Sequence, residues 1–238
     1  MKRIIMMVLR NLFFAIPAWF KLCYYAKHAD QYSEEKLYSF IRYIVERANI
    51  GGNVELEAIG KENIPAESGF MMFPNHQGFY DVLAIVGSCE RPLSVVFKKE
   101  IANVPFIKQI SACIRGYAMD RDDIKQSMQV IINVSKEVKN GRNYIIFPEG
   151  TRSKNGNTLL EFKGGSFKAA TKARCPIVPV ALIDSYKVMD TNSIKPVKVK
   201  IIYLPPIPYD VYKDMKTTEI AQEVRKQIEN AIAEHENS

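Results

Sequence analysis

Cysteine and histidine are scarce in this chain, and the cysteines are not spaced as a metal site requires. The four cysteines, Cys23, Cys89, Cys113 and Cys175, lie far apart with no Cys-x-x-Cys pair. That excludes a zinc site and a recognisable disulfide framework, and leaves buried, reduced thiols in a cytosol-facing protein as the expectation. Repeats at solenoid periods and low-complexity stretches are also missing. The 238 residues therefore read as one globular body with an appendage. The formal net charge of +7 suits nucleic acid, an anionic membrane or phosphorylated substrates. With no zinc-finger spacing, RRM aromatic motif or long Lys/Arg run, no nucleic acid partner is expected.

An uninterrupted apolar run of the ~20 residues that a spanning helix needs is missing too. Ile4 to Ala26 is strongly apolar, but Arg10, Asn11 and Lys21 interrupt it and Pro17 sits inside it. From Arg10 to Lys21 a helix would cover only about 15 Å, roughly half a hydrocarbon core. Three readings compete. A signal peptide has a basic start in Met1-Lys2-Arg3 but lacks a small-x-small cleavage site. A transmembrane helix tolerates charges near its ends. A monotopic helix dipping into one leaflet, with Lys and Arg heads snorkelling at both ends, is the favoured expectation.

A second helix is predicted from Ser33 as N-cap, with Leu37, Phe40, Ile41, Ile44, Val45 and Ala48 on one apolar face and Gly51-Gly52 as its stop. The two helices could form a hairpin on the bilayer. From Asn53 onward, β-rich runs appear at Val54–Ala58, Phe70–Phe73, Leu93–Phe97, Ile114–Met119, Tyr144–Phe147, Ile177–Ile183 and Val197–Leu204. Between them lies an amphipathic helix marked by Ile124, Met128, Ile131, Val134 and Val138 and closed by Gly141. A last helix is expected over about Thr217 to Ala233. The expected fold is α/β: a mixed, largely parallel sheet flanked by helices, with an N-terminal membrane-associated helical segment. Residues 1–50 are expected as anchoring helices and 51–238 as a catalytic domain.

Functional residues of such sheets gather where strands end and helices begin. The strand ending at Phe73 leads into Pro74-Asn75-His76-Gln77-Gly78-Phe79-Tyr80-Asp81, and His76 is the one of three histidines that follows a buried strand. Asp81, in the first turns of a helix, can accept a hydrogen bond from Nδ1–H and leave Nε2 as general base. By spacing alone such a pair also fits a helix cap. Gly164-Gly165-Ser166-Phe167-Lys168 holds the best serine candidate, yet lacks the closing glycine of a nucleophile elbow. Without a nucleophile, His76 and Asp81 suit direct attack by a substrate hydroxyl, a transferase arrangement, or a hydrolase if water takes its place.

Phe147-Pro148-Glu149-Gly150-Thr151-Arg152-Ser153 follows another strand. Gly150 permits a tight turn, and Arg152 offers a planar fork for a phosphate monoester. An internal Glu149–Arg152 contact is the alternative. Arg121, at the start of the Ile124 helix, and Lys98 and Lys99 after a strand are further cations for an anion, with surface charge as the alternative. Asp120, Asp122 and Asp123 fit helix capping better than metal.

Together these segments resemble the glycerolipid acyltransferase superfamily, specifically bacterial-type 1-acylglycerol-3-phosphate acyltransferases. Asn75, His76 and Asp81 match its NHx4D motif. Lys98-Lys99-Glu100 through Gly116 and Arg121 look like its second block, Phe147 to Ser153 its FPEGTRS block, and Cys175-Pro176-Ile177-Val178-Pro179-Val180 its fourth. Phe162-Lys163-Gly164-Gly165 is similar to the segment after the third block, and the likeness runs from about Val54 to Leu204. Ala118-Met119 depart from it, standing where a bulkier apolar or aromatic residue is common, which leaves acceptor specificity open. The resemblance implies His76 as base oriented by Asp81, and Arg152 with Arg121 and Lys98 on the acceptor's phosphate. Glu149, Gly150 and Thr151 would shape the acceptor site, and Pro179 its apolar wall. It also implies an acyl-CoA or acyl-carrier protein donor, a lysophosphatidic acid acceptor, and no metal or cofactor. The expected location is the cytoplasmic face of the cell membrane, on an anionic surface.

Overall fold

The apolar N-terminal run folds as two helices, not one. The computed structural model describes residues 2–235, so Met1 of the basic start, and residues 236–238 of the 51–238 portion, lie outside the described residues. Helices α1 (Lys2–Arg10) and α2 (Leu12–Lys27) meet at 94°. The break falls at Asn11, whose buried amide donates to the carbonyls of Met7 and Arg47 at 2.9 Å each. Pro17 lies within α2 without ending it. Arg10 bonds Asn53 Oδ1 at 2.8 Å, and Lys21 lies over the Phe40 ring at 4.8 Å. Both cations turn back onto the protein because acceptors and π faces lie close by. Arg3 is buried, donating to the carbonyls of Gly52 (2.6 Å) and Lys195 (2.7 Å).

Helix α3 (Glu34–Gly52) starts as expected, with Ser33 Oγ accepting from Lys36 N and acidic residues in the first turn. It ends at Gly52, as expected, and the left-handed cap conformation falls one residue later, on Asn53. The glycines also admit the neighbouring helix: a Cβ on Gly51 would stand 2.2 Å from Asn11 Nδ2, and one on Gly52 2.4 Å from Met7 Cε.

The body follows as β1 (Val54–Ile59), β2 (Met71–Pro74), α4 (Asp81–Ser88), β3 (Ser94–Lys98), α5 (Ile107–Cys113), β4 (Tyr117–Met119), α6 (Ile124–Lys139), β5 (Tyr144–Ile145), α7 (Lys168–Ala173), β6 (Ile177–Ile183), α8 (Tyr186–Met189), β7 (Val197–Tyr203), α9 (Tyr209–Tyr212) and α10 (Thr217–His235). All seven expected strands form. The run from Ile114 begins late, because α5 occupies the residues before it and a turn with Arg115 at φ 51° intervenes. The sheet order is β1-β7-β6-β2-β5-β3-β4, parallel throughout except where β6 meets β7.

Strand alternation builds two cores. From β6, Val178, Val180 and Leu182 pack under α1–α5, while Ile177, Ala181 and Ile183 pack under α6, α7 and α10. The five strands from β6 to β4 run the same way, so their carboxyl ends share one edge. That edge carries the loops of His76, Lys98, Arg121, Glu149 and Ser185.

Candidate active site

Asn75 extends β2 with its side chain in place of backbone. Its amide donates to Leu182 O at 3.0 Å, and its carbonyl oxygen accepts from Leu182 N at 2.7 Å. His76 follows. Its Nδ1 lies 2.7 Å from Oδ2 of Asp81, the first residue of α4 and fully buried. A carboxylate at that distance fixes the proton on Nδ1 and leaves Nε2 unpartnered, as a general base requires. The same Oδ2 accepts from Gln77 N (2.6 Å) and Gly78 N (3.0 Å), and Oδ1 accepts from Ser185 Oγ. These donors satisfy a buried carboxylate and hold it in place.

The imidazole lies on the Phe147 ring, centroids 4.2 Å apart. Glu149 joins the two loops: Oε1 accepts from His76 N at 2.8 Å and Oε2 from Leu160 N at 3.2 Å. Burial pushes its carboxyl up from the ordinary value. The proposed Glu149–Arg152 contact does not form, since Glu149 is spent on backbone N–H groups. Gly150 closes the turn with φ 72°, a conformation that Gly adopts without strain. Thr151 is exposed.

Arg152 turns to Asp190, with Nη1 2.6 Å from Oδ1, and its guanidinium lies 3.8 Å over the Phe79 ring. Asp190 Oδ2 also accepts from Phe79 N at 3.0 Å. Arg121 stands elsewhere, at a cleft of about 730 Å³ between α6 and the segment from Lys163 to Lys172. The cleft floor is Val96, Met119, Ile146 and Phe147, and its cations are Arg121, Lys163, Lys168 and Lys172, with no acidic residue among its lining. Phe147 is common to the cleft and to the imidazole. Lys98 pairs with Glu100 at 2.7 Å, and Pro179 is buried within β6 and does not line the cleft.

Two apolar residues of the α6 stripe, Ile124 and Met128, are 75% and 57% exposed and line the cleft instead of the core. Asp123 caps α6 through Gln126 N. Ser166 bonds Pro148 O at 3.5 Å and has no base beside it. All four cysteines are free, and burial raises Cys89 and Cys113 to about 11 and Cys175 to about 12. Cys23 is only half-buried, because α2 packs on the body along one side. Among the described residues no cluster of His, Cys, Asp or Glu could hold a metal. Ser185, Gln77, Phe79 and Asp190 are the site residues that sequence reasoning missed. Gln77 and Phe79 sit in the unassigned positions between His76 and Asp81, and that was their only signal.

The architecture and its strand edge define an α/β protein with a hydrogen-bonded histidine–aspartate pair beside an apolar cleft. The chain belongs to the family described as Acyltransferase, whose profile matches residues 55–183. It is 33% identical over 161 residues to the 1-acyl-sn-glycerol-3-phosphate acyltransferase of Salmonella typhimurium, and 34% to that of Escherichia coli, covering 67% of this chain and 65% of each relative. The matched part of the chain thus spans less than two thirds of those relatives. The fold matches the crystal structure of the 1-acyl-sn-glycerophosphate acyltransferase from Thermotoga maritima, with a TM-score of 0.80, 22% identity, and coverage of 99% of this chain and 97% of that one.

Proposed function

We propose that this chain is an acyltransferase that moves a fatty acyl group from acyl-CoA or acyl-carrier protein to the sn-2 hydroxyl of 1-acylglycerol-3-phosphate, giving phosphatidic acid. The observation that carries this reading is the His76–Asp81 pair at 2.7 Å with its free Nε2, set against a cleft that shares Phe147 with it. Nε2 takes the proton of the acceptor hydroxyl as its oxygen attacks the thioester carbonyl. The new C–O bond forms, the C–S bond breaks, and the proton passes from His76 to the leaving thiolate. Among the described residues no serine or cysteine is bonded to His76, so the reaction is written without an acyl-enzyme. Arg152, already oriented by Asp190 and Phe79, holds the acceptor's phosphate. The cleft takes the donor's acyl chain, its volume being of the size usual for such ligands.

Residues 1–50 are read as the anchor and 51–238 as the catalytic portion, working on the cytoplasmic face of the membrane. No single helix among the described residues is long and apolar enough to cross a membrane, and the bent pair α1–α2 passes that test only jointly. Its outer face carries Ile5, Leu9, Phe13, Ile16 and Phe20, each more than half exposed. An apolar patch of that kind suits shallow insertion into one leaflet. The test is purified protein with detergent-dispersed lysophosphatidic acid and labelled acyl-CoA or acyl-carrier protein. Label in phosphatidic acid is expected. Label in free fatty acid would make the protein a hydrolase, and label on another lysolipid would reassign the acceptor.

A further inference from the structure

The reading of His76 as general base gives Asp81 the task of holding the imidazole, and what holds Asp81 lies 104 residues further along the chain. Three donors, from His76, Gln77 and Gly78, converge on Oδ2. Oδ1 has one, the hydroxyl of Ser185. Ser185 follows β6 and is fully buried. Asp184, just before it, takes a left-handed φ of 64°, a conformation uncommon for a residue other than glycine. The turn aims both Ser185 donors inward: its N–H reaches Gln77 Oε1 at 3.0 Å and its Oγ reaches Asp81.

The hydrogen bonds of Gln77 fix which of its atoms faces Ser185. Its Nε2 gives both protons away, to Asn157 Oδ1 (2.8 Å) and Leu182 O (2.9 Å), so Oε1 must be the atom facing Ser185. That oxygen already receives the Ser185 N–H. The single hydroxyl proton goes to the stronger acceptor, the Asp81 carboxylate.

We propose that Ser185 is a positioning residue for the reaction, fixing Asp81 by its second oxygen so that the first stays on His76 Nδ1. This rests on the general-base reading above. Without the hydroxyl, Oδ1 becomes a buried carboxylate oxygen with no donor, a costly state. It is relieved by rotation of the carboxylate or entry of a water, and either takes Oδ2 off the imidazole. Ser185 touches neither substrate nor reacting atoms, so its loss acts on turnover and not on substrate binding.

The experiment compares wild type, Ser185→Ala, Ser185→Cys, Asp81→Asn and the Asp81→Asn/Ser185→Ala double variant, all full length, by steady-state kinetics in both substrates. Cysteine fills the space with a poor donor, so it covers the case in which alanine fails to fold. Ser185→Ala and Ser185→Cys should each lower kcat about tenfold, the worth of one hydrogen bond to a charged group, with both KM values held within about twofold. In the Asp81→Asn background the serine change should alter kcat by less than about twofold, since the charge it served is gone. Wild-type kcat in Ser185→Cys, or the same tenfold loss with Asn at position 81, would overturn the proposal. A fully active Asp81→Asn would overturn the base reading itself, which keeps the two failures apart.

Discussion

Removing the Arg152 guanidinium should weaken the acceptor and leave the donor untouched. In the free protein the group is held by Asp190 at 2.6 Å and lies 3.8 Å over Phe79. Its fork is therefore placed before substrate arrives, and little side-chain entropy remains to be lost on binding. Hydrogen bonds from such a group to a phosphate contribute about 1.5–3 kcal/mol, so Arg152→Ala should raise acceptor KM roughly tenfold to a hundredfold. Arg152→Lys keeps the charge but loses the fork and the stacked plane, and should recover only part of the loss. Phe79→Ala leaves the charge and removes the platform. At an exposed site that stacking contributes about 0.5–1 kcal/mol, a rise of roughly two- to fivefold in acceptor KM. The assay is two-substrate steady-state analysis of the four proteins. A raised donor KM with acceptor KM unchanged in Arg152→Ala would refute the assignment of Arg152 to the phosphate.

Gly51→Ala should destabilise the protein by about 1–3 kcal/mol in urea unfolding, because its Cβ would meet Asn11 Nδ2 at 2.2 Å; wild-type stability would show that α1 and α3 do not need this close approach. Glu149→Gln should cost about 1–3 kcal/mol, since an amide can serve only one of the two N–H groups that Glu149 accepts. Burial raises the Glu149 carboxyl, so its contribution is full below the unfolded carboxylate value and falls as pH rises through the folded one. The stability gap to Glu149→Gln should therefore narrow with rising pH, and a widening gap in unfolding at several pH values would contradict the burial argument. The double change Phe13→Asp, Phe20→Asp should prevent sedimentation with anionic vesicles. High salt alone should leave the wild type bound, although each basic residue near such a surface adds roughly 1 kcal/mol. Complete release by salt would show that attachment is electrostatic.

Periodicity exposed most of the fold because the central strands β2, β5 and β6 are buried on both faces and read as short apolar runs. Ser33, Asp123 and the stripe of α3 act locally, and local signals survive in sequence. Gly51-Gly52 end α3 as their sequence suggests, but their second role, admitting α1 and Asn11, depends on a contact across the fold that no local signal carries. The bend at Asn11 was hidden for a related reason: its partner, the Arg47 carbonyl, sits on another helix. His76, Asp81 and the Phe147–Ser153 loop were legible as motifs. Asp190 and Ser185 were not, since they meet Arg152 and Asp81 across 38 and 104 residues. Ile124 and Met128 fit a core stripe by spacing, and only the packing of α6 shows that they overhang the cleft.

In the mechanism proposed above, His76 Nε2 takes the proton of the acceptor hydroxyl directly. That step is tested by the turnover of His76→Ala at saturating donor and acceptor, alongside wild type and with folding checked by circular dichroism. Loss of a general base typically lowers rate ~10²–10⁴-fold, and the folded variant should fall within that range. A folded His76→Ala protein that transfers acyl groups at close to the wild-type rate would contradict it.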